Sequence, residues 1–188
     1  LAEMIASAEI DIASVEVVGS NDTIKKVFGI RKTVEDYRRT LENLKDAGVK
    51  HIVPHVCIGL DGGKIDGEYR AIDIVRETIH PSVFVLIVLR PTKGTEFEGA
   101  KIPDTRDVYK ITKYAKESFP NVDISLGCMR PRSRGRVEIE KASLRGGVTR
   151  MELPSKETLQ LAKEMGYVVK RIEACCALPE EYENLLSL

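Results

Sequence analysis

Three side chains that could bind a ligand or a metal ion lie close together in the segment HVCIGLDGG, residues 55–63. They are the imidazole of His55, the thiol of Cys57 and the carboxylate of Asp61. All three groups bind metal ions in proteins, but the chain contains neither CxxC nor HExxH, so we do not expect a self-contained zinc site. From these residues alone, the segment could be a ligand-binding strand end or an ordinary turn.

Polar residues also follow other apolar stretches of the chain. GSNDT contains Ser20 and Asp22, and GCMRPR contains Cys128 and Arg130. An aspartate accepts hydrogen bonds from hydroxyl or ammonium groups, and an arginine binds carboxylates or phosphates. The residues of GSNDT are also typical of a plain turn, and a cysteine is common at buried apolar positions, so both interpretations stay open. The basic run continues with Arg132, Arg134 and Arg136.

The composition limits the class of protein. With 188 residues, 43% of them hydrophobic, the chain can form one domain, residues 1–188, with a sizeable core. Its 29 basic and 29 acidic side chains give no net charge, so we expect no nucleic-acid partner. No stretch approaches the roughly 20 apolar residues of a membrane span. No signal peptide is visible, and four cysteines without a disulfide framework predict reduced thiols in a cytoplasmic protein.

Apolar runs of strand length alternate with segments of helical period. The predicted strands are residues 10–18, 49–59, 82–89, 121–129 and 147–153, with a short strand or strand-like tail at 167–178. Helices are predicted between them, with starts at Thr33, Asp104 and Ser155, because these residue types favour the position before a helix. Alternation at this spacing indicates βαβ units and a parallel sheet.

The strand ends favour a barrel over a nucleotide-binding Rossmann domain. No Gly-x-Gly-x-x-Gly and no P-loop follows the first strand. In a (β/α) barrel, ligands bind at the carboxyl ends of the strands, where this chain has its polar segments. We therefore predict an α/β fold, a partial TIM-type barrel of about five parallel βα units.

Six segments resemble, in order and spacing, the radical S-adenosylmethionine enzymes, and among them biotin synthase and its relatives. VGSNDT is similar to the family's N-x-N-L-D-T, CIGLDGG to I-x-G-x-x-E, and PTKGTEFEG to V-K-G-T-P-L. ISLGCMRPR is similar to L-S-A-G-R, while TVEDYRRTLENLKDAGVK and KETLQLAKEMGY resemble helices of the family. The resemblance implies that the chain covers strands four to eight of the family's barrel. One departure is that Gly62 occupies the position of the motif's glutamate.

The resemblance implies two cofactors, S-adenosylmethionine and a 4Fe–4S cluster. The family binds the cluster through C-x-x-x-C-x-x-C, which this chain does not contain, so we do not expect the chain alone to hold it. Ser20 and Asp22 match residues that contact the cofactor's ribose and amino-acid part. His55, Cys57 and Gly59 share one face of a strand that the family places against the adenine. Cys128 and Arg130 are implied as substrate contacts.

Two functions stay open on this basis. The chain could be the carboxyl-terminal portion of a radical S-adenosylmethionine enzyme related to biotin or lipoyl synthases, acting on a small molecule. It could also be a non-catalytic barrel subunit that binds a ligand or a partner. An unrelated barrel lyase or aldolase needs a catalytic lysine or carboxylate pair at the strand ends, and Lys93 is the only lysine placed there.

A partial barrel leaves strand edges and apolar faces open, which favours association. We therefore expect the chain to bind an amino-terminal half-barrel or to form a homo-oligomer.

Overall fold

A computed structural model describes residues 2–8, 10–133 and 135–186. Five strands form one sheet and alternate with helices. The strands are β1 (Ile12–Glu16), β2 (His51–Ile58), β3 (Val83–Val88), β4 (Asp123–Leu126) and β5 (Arg150–Met151). The helices are α1 (Ala2–Ser7), α2 (Asn21–Thr23), α3 (Val34–Asp46), α4 (Glu68–Thr78), α5 (Thr105–Ser118), α6 (Arg136–Gly146) and α7 (Lys156–Glu164), with a π-helical turn at Ile24–Phe28 and a 3-10 helix at Glu180–Leu186. In these described ranges, no helix is long and apolar enough to cross a bilayer.

All neighbouring strands pair in parallel, in the order β1-β2-β3-β4-β5. Because sequence order and sheet order agree, each strand is joined to its neighbour by a helical crossover. This confirms the predicted α/β fold, a partial barrel of five parallel units. All five carboxyl ends consequently lie along one edge of the sheet.

The two faces of the sheet are covered differently. On the outer face, strand residues such as Phe84 and Leu86 pack against helix residues such as Ile72 and Ile111, and all four are fully buried. On the inner face, Val53 and other valines form a smaller cluster without helix residues. The larger apolar cluster therefore lies between the sheet and the helices. The smaller cluster on the inner face is formed by strand side chains and the carboxyl-terminal segment.

The predicted helix starts are confirmed. Thr33 and Asp36 form a capping box before α3, in which the Thr33 N–H donates to the Asp36 carboxylate at 2.9 Å. Asp104 accepts from the Arg106 N–H at 2.8 Å, and Ser155 accepts from the Thr158 N–H at 3.2 Å. Each contact satisfies a backbone donor that has no partner within the helix, which is why these residue types locate helix starts well.

The strand predicted at residues 167–178 is wrong. This segment contains no strand, and Val168 is 97% exposed. A strand at residues 167–178 would have to pair with β5. Because β5 is only two residues long, it offers too short an edge for this pairing. The segment crosses the inner face instead. Ala177 packs with the valine cluster, and the Arg150 guanidinium donates to the Leu178 carbonyl at 2.9 Å.

The carboxyl-terminal segment closes the amino-terminal end of the inner face. His51 Nε2 lies 2.9 Å from the Glu181 carboxylate, and Lys50 Nζ lies 2.6 Å from the same group. Arg150 pairs with Glu183 at 2.7 Å. Part of the surface that the sequence analysis expected to be open is thus covered by the chain itself. The carboxyl-terminal end of the inner face, next to β1 and β2, carries the candidate site.

Candidate functional site

Glu16, His55 and Cys57 form a polar cluster on the inner face, called here the inner-face cluster. Glu16 is the last residue of β1, and it pairs in register with His55 of β2. Alternate strand residues face the same side. Ile12 and Val53 belong to the inner apolar cluster, so Glu16, His55 and Cys57, which follow at even spacings, share that side. The cluster lies at the carboxyl ends of the strands, where barrels bind their ligands.

His55 is a neutral imidazole with one nitrogen available as an acceptor. Its Nδ1 lies 3.1 Å from the Val53 carbonyl oxygen. A carbonyl only accepts, so Nδ1 carries the proton and Nε2 has the lone pair. Burial lowers the pKa of His55, and the Val53 hydrogen bond only partly offsets this. Nε2 forms no hydrogen bond to any residue in the described ranges.

Glu16 is a partly buried carboxyl group without a compensating cation. Burial raises its pKa above the usual value. In the part of the chain that the structure describes, no side chain or backbone N–H pairs with it. Its charge acts on two other groups, since it raises the pKa of the Tyr37 phenol and of the Cys57 thiol, in both cases after burial, which is the larger cause.

Cys57 is held as a neutral thiol. It is 8% exposed, and burial together with the negative charges of Glu16 and Glu68 raises its pKa to about 12. A neutral thiol is a poor nucleophile and a poor metal ligand. Within the described ranges, no three His, Cys, Asp or Glu residues are placed to hold a metal ion. The cluster is therefore suited to hydrogen bonding and not to metal binding.

Gly59, which the resemblance places against the adenine, is required by a contact within the protein. Its φ is +77°, and a Cβ would lie 2.3 Å from Pro103 Cγ. Its N–H donates to Glu68 Oε1 at 2.7 Å, so this donor is already used. A ligand contact of Gly59 stays a prediction, and the observed geometry favours a structural role.

Glu68 is a residue that the sequence analysis missed. The motif comparison placed the family's glutamate position at Gly62, whereas a buried glutamate occurs six residues later, at the first position of α4. Burial raises the pKa of its carboxyl group, and Oε2 has no hydrogen-bond partner among the residues that the structure describes. Glu68 and Cys57 line a cavity of about 10 Å³, which suits about one water molecule. An acidic residue directly after Gly67, in the first turn of a helix, was the available signal.

Ser20 and Asp22 have different environments. The Ser20 hydroxyl accepts from the Thr23 N–H at 3.2 Å and donates to the Asp66 carboxylate, so it serves the turn. Asp22 is exposed in the first turn of α2. No described residue forms a hydrogen bond or ion pair with its carboxylate. Of the two predicted cofactor contacts, Asp22 is the one that is available to a ligand.

Cys128 and Arg130 are two residues apart, and strand alternation would place them on one face, but the structure gives them different environments. Cys128 is exposed, whereas Arg130 is fully buried. The alternation expected of a strand fails because β4 already ends at Leu126. The substrate contacts predicted for both residues stay predictions, and only Cys128 is exposed enough for one.

Arg130 is the centre of an ion-pair network, called here the arginine clamp, that also contains Glu140 and Glu152. Its Nη2 lies 2.9 Å from Glu140 Oε1, and its Nη1 lies 2.7 Å from the Gly127 carbonyl and 3.3 Å from Glu152 Oε2. These contacts occupy the guanidinium, which favours a structural role. The neighbouring Arg132 pairs with Glu152, and Arg136 pairs with Glu140. Arg134, the other member of the basic run, lies outside the described residues.

Glu140 connects the clamp to the next helix. The carboxylate of this fully buried residue also accepts from the Ser155 N–H at 2.8 Å and the Thr158 hydroxyl at 3.0 Å. Burial by itself raises the pKa of Glu140, but the hydrogen bonds from Arg136, Ser155 and Arg130 outweigh it and lower the pKa to about 2. The clamp thus joins the ends of β4 and β5 to α6 and α7.

Solved structures share the fold of this chain, whereas two other comparisons find no match. No protein-family model and no curated protein matches the chain. Among solved structures, the FeFe-hydrogenase maturase HydG from Carboxydothermus hydrogenoformans matches with a TM-score of 0.63 and 15% identity, over 94% of this chain and 46% of that one. Another structure of HydG, a maturase of the [FeFe]-hydrogenase, matches with a TM-score of 0.56 and 13% identity, over 80% of this chain and 34% of that one.

The chain therefore spans less than half the length of the HydG chains that it matches. At this level of identity the likeness concerns the fold. It agrees with the α/β fold, a partial barrel of parallel units, that the strand and helix pattern predicted.

Proposed function

We propose that this chain is the carboxyl-terminal portion of a radical S-adenosylmethionine enzyme and supplies part of the pocket for the cofactor and its substrate. The likeness to HydG, which includes 94% of the chain, is the observation that carries the proposal. The inner-face cluster adds support, because a ligand in such a barrel contacts the carboxyl ends of the strands. The activity, the substrate and the partners of the complete protein are all part of this proposal.

The described residues fit S-adenosylmethionine in one respect. Its ribose hydroxyls and its ammonium group are hydrogen-bond donors, and this edge of the sheet offers acceptors on Asp22, Glu16 and His55 Nε2. When bound together with a 4Fe–4S cluster held by another part of the complete protein, the cofactor would supply radical chemistry to the substrate. This chain would bind and orient S-adenosylmethionine and the substrate, which is what a protein contributes to cofactor chemistry.

The described residues do not fit the 4Fe–4S cluster. Such clusters need several thiolates. Cys57 is a neutral buried thiol, and no suitable ligand group exists in the described ranges. We therefore assign this chain no step on the cluster, which would be bound by another part of the complete protein.

The relation to biotin and lipoyl synthases is the finer part of the proposal. It rests on the order of the motifs VGSNDT, CIGLDGG, PTKGTEFEG and ISLGCMRPR. Asp22, His55 and Cys57 would then contact the cofactor, and Cys128 would approach a small-molecule substrate.

An amino-terminal half-barrel is the partner that we propose. The sheet has two outer strands, β1 and β5, each with one edge unpaired in the sheet order. A half-barrel that paired with β1 would extend the parallel sheet and cover the inner face beside Glu16. Self-association through the same edge is the alternative way of covering it.

Replacing Asp22 with alanine should weaken the binding of S-adenosylmethionine by about 1–3 kcal/mol, as for the loss of a charge-assisted hydrogen bond. Calorimetry or equilibrium dialysis with the purified chain measures this. Asp46→Ala is the matched control, because Asp46 is an exposed aspartate at the end of α3, away from the strand ends. Equal affinities for the original chain and Asp22→Ala would make GSNDT a structural turn.

A further inference from the structure

The inner-face cluster contains two hydrogen-bond acceptors and no donor for them. Glu16 and His55 are register partners on adjacent parallel strands, which are about 4.8 Å apart. The Glu16 carboxylate and His55 Nε2 have no hydrogen-bond partner among the described residues. Both side chains are half-buried, so these acceptors are open to water or to a ligand that brings a donor.

The surroundings do not supply that donor. Beside His55 on β3 is Val85, which is fully buried, and beside Cys57 is Ile87. Cys57 is a neutral thiol whose sulfur lies 4.0 Å from the Ile58 carbonyl. Two further titratable groups act on the cluster or respond to it, namely the Tyr37 phenol and the Glu68 carboxyl group. Among the described residues, neither forms a hydrogen bond to Glu16 or His55. No lysine or arginine in the described part of the chain pairs with Glu16.

We propose that Glu16 and His55 form a subsite for a primary ammonium group of a bound ligand. An ammonium has three N–H donors and a positive charge. One donor would reach the Glu16 carboxylate in a charge-assisted hydrogen bond, and another would reach His55 Nε2. An anionic ligand group would be repelled by the carboxylate.

Two sources of the ammonium are chemically equivalent at this subsite. One is the amino-acid part of S-adenosylmethionine, and the other is an amine on the substrate. The choice between them rests on the proposed function, whereas the recognition of an ammonium does not. The experiment is therefore built in two parts, so that either can fail without the other.

The first part uses a small cation and no cofactor. The His55 ring is observed by NMR while n-propylammonium chloride is added to the purified chain, with tetramethylammonium chloride at equal ionic strength as the control cation. Tetramethylammonium has the same charge but no N–H donor. We expect saturable shifts of the His55 resonances with n-propylammonium, and only small, linear shifts with tetramethylammonium.

The variant Glu16→Gln tests the role of the carboxylate. It should weaken the binding of n-propylammonium about tenfold or more, as for the loss of one charge-assisted hydrogen bond. Since Glu16 has no described partner in the folded chain, the variant should fold and unfold like the original protein. Glu138→Gln, which changes an exposed glutamate on α6, is the matched control and should leave binding unchanged.

The second part of the experiment identifies which compound supplies the ammonium group. If the cofactor supplies the ammonium, Glu16→Gln weakens S-adenosylmethionine but not 5′-methylthioadenosine, which has no amino-acid part. If the substrate supplies it, the affinity for both compounds stays the same while n-propylammonium binding is lost. A complete lack of S-adenosylmethionine binding counts against the proposed function and leaves the first part valid. Equal shifts with both cations, or unchanged n-propylammonium binding in Glu16→Gln, overturns the subsite.

Discussion

Replacing Glu140 with alanine should lower the free energy of unfolding by about 3–5 kcal/mol, because it leaves the buried Arg130 guanidinium without its main anionic partner. Both side chains are fully buried. Arg130 cannot lose its proton, and its fully buried side chain is poorly placed to replace the carboxylate with bulk water. The Ser155 N–H and the Thr158 hydroxyl would lose their acceptor as well. Urea unfolding followed by circular dichroism measures the change.

Two further variants separate the ion pair from the helix that carries it. Glu138→Ala removes an exposed glutamate from the same helix, and we expect a change within about 0.5 kcal/mol. Replacing both Arg130 and Glu140 with methionine should cost less than Glu140→Ala, because no buried charge is then left unpaired. A similar loss for Glu140→Ala and Glu138→Ala would mean that the clamp contributes nothing to stability.

The clamp also predicts a pH dependence. The pKa of Glu140 in the folded chain is about 2, below the usual value of 4.5 for a glutamate. A carboxyl group with a lowered pKa stabilises the fold at pH values above its unfolded pKa, and that contribution is lost as the pH falls through the folded pKa. The difference corresponds to about 3 kcal/mol, lost between about pH 4.5 and pH 2. Glu140→Ala should lack this component of the acid transition.

Replacing Gly19 with alanine should destabilise the chain by about 3 kcal/mol or more, at the upper end of the cost of overpacking. A Cβ at this position would lie 2.1 Å from the Gly67 carbonyl oxygen and 2.5 Å from the Ala71 backbone nitrogen. Both are backbone atoms of the turn and helix that follow β2, so they cannot move aside as a flexible side chain would. Thermal or urea unfolding measures the effect.

Gly99→Ala is the matched control for this steric argument. Neither Gly19 nor Gly99 has a left-handed φ, but a Cβ at Gly99 has no other atom within 4 Å. Gly99→Ala should therefore be neutral or slightly stabilising. Equal effects of the two substitutions would show that the close approach of Gly19 to Gly67 is not required. The contact affects the candidate site because it fixes the backbone at Gly19, three residues after Glu16.

Local signals in the sequence predicted the elements well. The five strands were located from their apolar runs, and Thr33, Asp104 and Ser155 were correctly placed before helices. These features depend on side chains that satisfy backbone groups a few residues away. The strand boundaries were predicted too long, as at β4, where Gly127, Cys128 and Met129 continue the apolar run in the sequence although the strand ends at Leu126.

Non-local contacts were not predicted. Arg130 was expected to face a substrate, but its partners Glu140 and Glu152 lie 10 and 22 residues away and meet it only when α6 packs against the sheet. Glu16 was passed over because a single glutamate at the end of a strand is not distinctive. Its significance comes from its register with His55, which the sequence does not specify.

We propose that S-adenosylmethionine binds at the carboxyl ends of β1 and β2, and amide chemical-shift mapping can locate such binding residue by residue. ¹H–¹⁵N spectra of the purified chain are recorded with increasing S-adenosylmethionine, and with ATP as a control nucleotide. We predict saturable shifts concentrated at residues 16–22 and 55–59, small changes in α5 to α7, and no comparable pattern with ATP. Shifts that spread over the outer helices, or no saturable shifts at millimolar S-adenosylmethionine, would show that the cofactor does not bind at these strand ends.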